Sequence, residues 1–224
     1  MTEKSKRLMI AAIGLTVLFV LLTILLKVVD VQPAGPQQSE IGFAGLNVAF
    51  ATTIGYSKTF YYAAAILGIL CLLIAAGFAL MGLMQLIATK DLHQVNYRIL
   101  AVGGLYVAVV LCYLFFELVV INYRPVAIND KLAPSYPSSH TLLALTITIS
   151  AAMVLKGVLK NRRLAEILGW ICVGLGVLTV LFRLLSGVHW LTDIVGGMLL
   201  SAALLTWFAF ALELLHEKHK RYEY

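Results

Sequence analysis

Six apolar runs divide the chain, at about Leu8–Val29, Thr59–Ala88, Ile99–Ile121, Thr141–Leu159, Leu164–Leu181 and from beyond Asp193 to about Leu215. Each is close to or longer than the roughly 20 helical residues that cross a hydrocarbon core of about 30 Å. Such a core leaves backbone groups no partner but their own helix, so the pattern predicts six membrane-spanning helices. The polar stretch from Asp30 to Lys58 carries Pro33, Gly35 and Pro36 and leads into Ile41–Ile54, where Phe43, Leu46, Phe50 and Ile54 recur at roughly helical spacing. That spacing predicts an interfacial helix, with a lid over a site as the alternative. The expected organisation is all-α and polytopic, a single six-span domain over residues 1–224. Residues 1–29 form a basic tail and first span, 30–58 an outer interfacial segment, 59–215 the remaining spans and 216–224 a charged tail.

Composition agrees with this class. Apolar residues make up 61% of the 224 positions, charged residues only 12%, and mean hydropathy is +0.93, values that exclude a soluble domain. The net charge of +6 does not point to nucleic acid, because the basic residues are grouped between apolar spans and so report orientation. Twelve of the 17 Lys and Arg fall in the two termini and in the second and fourth connectors; the other face holds Lys27, Lys58, Arg124, Lys131 and Arg183. The positive-inside rule then places both termini in the cytoplasm. The basic start of the chain is like that of a signal peptide, but the apolar run is too long and lacks a clear cleavage site, so it reads as a retained span. Cys71, Cys112 and Cys172 all lie in apolar runs without metal-ligand spacing.

Against this background the segments 124–140 and 183–193 stand out. They contain Tyr123-Arg124-Pro125, Tyr136-Pro137-Ser138-Ser139-His140, and Arg183 followed by Gly187-Val188-His189-Trp190 and Asp193. An unpaired charge beside such apolar runs costs several kcal/mol, and both segments fall on the outer face. Arg offers a planar fork for phosphate oxygens. Ser138 or Ser139 can cap the fourth span and leave its N–H groups facing an anion. His189 and Asp193, four apart, would share one face of a helix, where the carboxylate fixes the tautomer that exposes the other ring nitrogen. Taken singly, these residues could be interfacial anchors; Trp190 and Tyr136 read as aromatic-belt residues. A metal site of His140, His189 and Asp193 is disfavoured by the two neighbouring Arg.

These residues resemble the tripartite signature of the type 2 phosphatidic acid phosphatase family, written Lys-x6-Arg-Pro, Pro-Ser-Gly-His and Ser-Arg-x5-His-x3-Asp. Order, spacing and six-span placement agree, and three positions depart: Glu117 stands where the family has Lys, Ser139 where it has Gly, and Phe182 where it has Ser. The resemblance implies a membrane lipid phosphatase. His189 would form a phosphohistidine and Asp193 would hold its ring, while His140 serves as acid and then base. Arg124, Arg183, Ser138 and Ser139 would bind the phosphate. It implies no metal or cofactor, and a lipid phosphate or pyrophosphate substrate drawn from membrane lipids. Phosphatidic acid, phosphatidylglycerol phosphate and polyprenyl pyrophosphate are the candidates, with a bacterial envelope lipid preferred and no obligate protein partner inferred.

Glu117 lies seven residues before Arg124, about two turns if the helix continues, and would then pair with Arg124 or Lys131 and modulate the pocket; the alternative is a bond to a neighbouring span. A lipid phosphotransferase would use the same site, and a non-catalytic transporter would need polar groups along the whole path. The charge distribution makes a direct prediction. A reporter fused after Tyr224 should read cytoplasmic and one inserted near Lys131 external; the reverse pattern would overturn the assignment of the site to the outer face.

Overall fold

The computed structural model describes residues 1–128 and 132–222, with side chains through Lys218. It is a helical bundle of α1 (Glu3–Leu25), α3 (Lys58–Thr89), α4 (Tyr97–Leu118), α5 (Ser139–Val158), α6 (Arg162–Leu185) and α7 (Leu191–Tyr222), with a shorter helix α2 (Ala44–Ile54). The six long helices are each apolar and long enough to cross a membrane. Four of them start where a polar side chain can take a free backbone N–H: Thr2 accepts from Ser5, Ser57 from Phe60, Asn96 from Arg98 and Asn161 from Leu164. At 32 residues α3 is about 48 Å long, well beyond the hydrocarbon thickness. The helix α7 runs on through the expected charged tail as far as Tyr222. Near that end Lys4 Nζ bonds Glu213 at 2.6 Å and Thr2 Oγ1 bonds Glu217 at 2.7 Å, tying it to the start of the chain.

The helix α5 occupies the centre, packed against α3, α4, α6 and α7, whereas α1 leans chiefly on α7. Burial follows: over half of α5's apolar window is inside the protein, against 11% for α1. Thr148 and Ser150, buried midway along α5, bond to their own helix, Thr148 to Ala144 O at 2.7 Å and Ser150 to Ile147 O at 3.1 Å, so they need no external partner.

Both distinctive segments lie at one end of the bundle, between α4 and α5 and between α6 and α7. A hairpin not anticipated from the sequence covers the same end. Its strands β1 (Gln32–Ala34) and β2 (Ser39–Ile41) pair antiparallel, Gln32 with Ile41 and Ala34 with Ser39. Three-residue strands are too short to leave a period in the hydropathy. Ala34 and Ile41 pack on Trp190, and α2 begins at Ala44, three residues later than expected. The buried Asn47 fixes α2 to the start of α7, donating to Thr192 Oγ1 at 2.9 Å and accepting from Thr192 N at 3.2 Å.

Gly187, just before the His189 turn, has φ +65°, and a Cβ there would lie 2.0 Å from Gly55 O. The ends of α6 and α3 meet at this point, Ser57 N donating to Ser186 O at 3.1 Å. Gly187→Ala should therefore cost about 2–4 kcal/mol, combining the left-handed backbone with a main-chain collision. The control Gly174→Ala, in α6 with open space around it, should be neutral or slightly stabilising. Thermal unfolding in detergent checks the pair; equal melting temperatures would contradict the packing described.

Candidate active site

The site is built around Asp193, in the first turn of α7 with its side chain fully buried. Its Oδ2 accepts the backbone N–H of Trp190 at 2.9 Å, and its Oδ1 accepts Asn122 Nδ2 at 3.0 Å. An acidic side chain three residues into a helix, reaching back to the residue before it, is half of a capping box, and it sits where the helix dipole favours negative charge. A third donor is the hydroxyl of Ser135, which makes a short bond to Oδ2. Ser135 also lies 3.0 Å from His189 Nδ1, so the hydroxyl stands between carboxylate and imidazole. The direct distance from His189 Nδ1 to Asp193 Oδ2 is 3.5 Å.

This corrects the expected arrangement in one respect. The helix begins at Leu191, so His189 precedes it and does not share a helical face with Asp193. The two come together because the turn folds the imidazole back over the helix start.

The tautomer follows from the partners. Arg183 Nη2 lies 3.1 Å from His189 Nε2 and has only protons to offer, so Nε2 accepts. Nδ1 then carries the proton and donates it to Ser135, whose own proton goes to Asp193. Burial holds the His189 imidazole well below its ordinary pKa of 6.5, and the charges of Arg183 and Arg124 act the same way, against a hydrogen bond with Ser135. The ring is a neutral base with its lone pair on Nε2.

Arg183, in the last turn of α6, is 1% exposed, and its guanidinium lies 5.5 Å from the centre of the Tyr61 ring. Arg124 is half-buried, and burial pulls its guanidinium below the ordinary value while Tyr61, Glu117 and Asp193 oppose this. Among the described residues, Arg183 Nε, Arg183 Nη1 and Arg124 Nε are buried without a hydrogen-bond partner, as is His140 Nδ1. Buried guanidinium donors of this kind call for an anion. His140, Arg183, His189 and Arg124 lie within electrostatic reach of one another. The His140 ring rests over Gly68 of α3, where a Cβ would be 3.5 Å from its Cδ2.

The structure thus brings Arg124, His140, Arg183, His189 and Asp193 to one place. Ser138 precedes α5 and is fully buried, but its side chain makes no capping bond and instead accepts from Thr141 Oγ1 at 3.1 Å. Ser139, the first residue of α5, lines a small cavity with Glu117 and Ser135. Trp190 and Tyr136 are not belt residues: they are 2% and 1% exposed. Trp190 Nε1 donates to Tyr123 O at 2.7 Å, and the Tyr136 ring lies on Gly196, where a Cβ would come within 2.3 Å of it. The helix α4 ends at Leu118, so no continuous helix carries Glu117 toward Arg124. Glu117 is exposed at the cavity mouth and, among the described residues, makes no ion pair with Arg124. Lys131 lies outside the described residues.

Ser135, Asn122 and Tyr61 were not picked out from the sequence. Ser135 carried the one available signal, standing three residues before Ser138 in the same polar cluster.

The buried neutral imidazole sets a pH dependence. Below pH 6.5 the unfolded chain protonates His189 while the native site resists, so the unfolded state binds more protons and stability falls as the pH falls. Melting temperature should accordingly drop less between pH 7.5 and pH 5 in His189→Gln than in wild type. An identical drop would mean that His189 is not held neutral.

Residues 104–214 match the family model of the PAP2 superfamily. No curated protein matches the chain in sequence. Among solved structures, the chain is similar to the crystal structure of the first transmembrane PAP2 type phosphatidylglycerolphosphate phosphatase from Bacillus subtilis. The TM-score is 0.59 at 17% identity, over 93% of this chain and 96% of that one.

Proposed function

Since this chain belongs to the type 2 phosphatidic acid phosphatase (PAP2) superfamily and is a membrane lipid phosphatase, we propose that it cleaves its substrate through a phosphohistidine on His189 Nε2. The observation that carries this reading is the hydrogen-bonded series from Asp193 through Ser135 to His189 Nδ1. It holds the proton on Nδ1 and leaves the Nε2 lone pair as the nucleophile.

The phosphate oxygens take the unpartnered donors of Arg183 and Arg124, together with the N–H groups at the start of α5, which have no acceptor within the helix. The Arg183 donor on Nε2 moves to a phosphate oxygen and frees the lone pair. Nε2 forms a bond to phosphorus as the bond to the lipid oxygen breaks, and the electron pair leaves with that oxygen. His140 supplies the proton. The imidazolium charge that develops on His189 is balanced by Asp193 through the Ser135 hydroxyl. His140 then removes a proton from water as its oxygen attacks phosphorus; the P–N bond breaks, its electron pair returns to Nε2, and inorganic phosphate leaves. Arg124 and Arg183 hold the equatorial oxygens throughout, while Ser138 acts by setting the backbone at the start of α5.

The substrate we propose is a lipid phosphate of a bacterial envelope, with phosphatidylglycerol phosphate first because the structural neighbour is a phosphatidylglycerolphosphate phosphatase. Phosphatidic acid and polyprenyl pyrophosphate follow. The site lies at the end of the bundle away from both termini, and the basic connectors support an outer-face location in the cell membrane.

Release of inorganic phosphate from a panel of these lipids in detergent tests the reading. His189→Ala should lose at least a thousandfold in kcat, with wild-type activity retained in EDTA. Ser135→Ala should lose about ten- to a hundredfold in kcat with little change in KM, as expected for a group that acts on the transition state. Wild-type turnover that disappears on chelation, or a fully active His189→Ala, would overturn the mechanism. Phosphate transferred to an added acceptor lipid in place of water would assign a phosphotransferase.

A further inference from the structure

The reacting groups sit at the end of the bundle, but a lipid phosphate brings acyl chains that must lie somewhere along its flank. Two cavities there share a wall. The smaller contains Glu117, Ser135 and Ser139, and so reaches the site. The larger, about 550 Å³, is a groove between α1 and α4 with α7 as its floor. Cys112 and Phe116 line both, so the small cavity and the apolar groove lie back to back across these two side chains.

From this adjacency we infer that the α1–α4–α7 groove holds an acyl chain of the substrate, a site that rests on the lipid-phosphatase reading and adds its chain-binding surface. Three observations support it. First, the groove has the lining of a hydrocarbon site. Its two threonines spend their hydroxyl protons on their own helix, Thr16 to Ala12 O at 2.8 Å and Thr23 to Phe19 O at 2.9 Å, which leaves methyl groups and hydrocarbon facing inward. Second, it starts at the reacting end, with Ile24, Val119 and Ile121, and reaches about 12 Å down α1 to Thr16. There Trp207 Nε1 donates to Thr16 Oγ1 at 3.1 Å and closes it. A chain entering from the site would meet the indole as a stop and turn out toward the bilayer.

Third, the junction is built by the residue next to Ser135. The Tyr136 ring stacks on Phe19 with centroids 6.0 Å apart and meets Phe116 edge-on at 6.0 Å. Because the Thr23 proton is already given to Phe19 O, the Tyr136 hydroxyl donates to Thr23 Oγ1 at 2.8 Å. A chain against Phe19 and Phe116 therefore bears on the ring whose main chain leads to the Ser135 hydroxyl. The other flank offers an apolar groove between α3 and α4, but Leu86, Leu92 and Val95 place it at the opposite end of the bundle, where no phosphate bound at His189 can reach it.

The probe is a phosphonate analogue of dioleoyl phosphatidic acid bearing a diazirine in one acyl chain, irradiated with the full-length protein in micelles. Label should appear on α1 and α4 near Val20 and Phe115 and be competed by the unlabelled phosphonate. Label on α3, or label spread evenly and not competed, would overturn the groove. Val20→Trp places an indole at a lipid-facing position of the groove without touching the core. The ratio of its kcat/KM for dioleoyl phosphatidic acid to that for p-nitrophenyl phosphate should fall at least tenfold relative to wild type; an unchanged ratio would overturn the proposal. Wild-type protein that hydrolyses neither compound would instead sink the phosphatase reading, and the labelling pattern still decides the groove.

Discussion

A carboxylate withdrawn from water at the end of an apolar bundle needs donors for both its oxygens, and Asp193 draws them from three parts of the chain. Trp190 gives a backbone N–H, Asn122 an amide and Ser135 a hydroxyl. Without them an ionised group at this depth would cost several kcal/mol. The requirement organises the surroundings. Asn122 and Ser135 must come to rest on the start of α7; Ser135 N bonds Asn122 O at 3.0 Å and holds the two together, and Ser138 N bonds Asp193 O of α7 at 3.0 Å. The second bond joins the start of α5 to that of α7, and with it the two segments that carry the histidines.

Close approach of these helix starts depends on residues without side chains. Tyr136 occupies the space above Gly196, and a Cβ on Gly197 would lie 3.0 Å from Ser138 O. The apolar bundle is thus the scaffold and the polar end its payload. The centrally placed α5 is rigid because four helices surround it, and that rigidity reaches His140 in its first turn. The hairpin and α2 add a cover on Trp190 and Thr192, keeping water from the donors that Asp193 depends on.

The six spans were legible because hydrocarbon imposes a length and a composition that a linear sequence cannot hide. Arg124, His140, Arg183, His189 and Asp193 were legible for the complementary reason: charged and titratable groups beside apolar runs are costly, and connectors on one face bring them together. What was missed depends on contacts. Ser135 differs from any loop serine only in standing between His189 and Asp193, and Tyr61 looks like an interfacial tyrosine until Arg183 is seen beside its ring. Trp190 and Tyr136 have belt composition, yet the Tyr123 carbonyl holds the first and the space over Gly196 admits the second. Glu117 was extrapolated along a helix that stops at Leu118. Periodicity reports where a helix can run; the turn that ends it is set by tertiary bonds.

Arg183 joins binding to chemistry within one side chain. Its Nη2 lies 3.1 Å from His189 Nε2 while Nε and Nη1 have no hydrogen-bond partner among the described residues. A phosphate gripped by this guanidinium is held beside the nucleophile by the same atoms that bind it, so orientation and affinity come from one contact. At about 4 Å each guanidinium charge attracts a phosphate charge by about 4 kcal/mol at an effective dielectric near 20, and the buried Asp193 offsets part of this. Two guanidiniums against one carboxylate leave the pocket cationic, and a neutral His189 adds nothing to oppose. Full burial of a positive pair without that carboxylate would cost the fold more, and a second buried carboxylate would leave no net attraction for phosphate. The placement of Glu117 fits this balance: it lies on an exposed face of α4 and, among the described residues, makes no ion pair with either guanidinium.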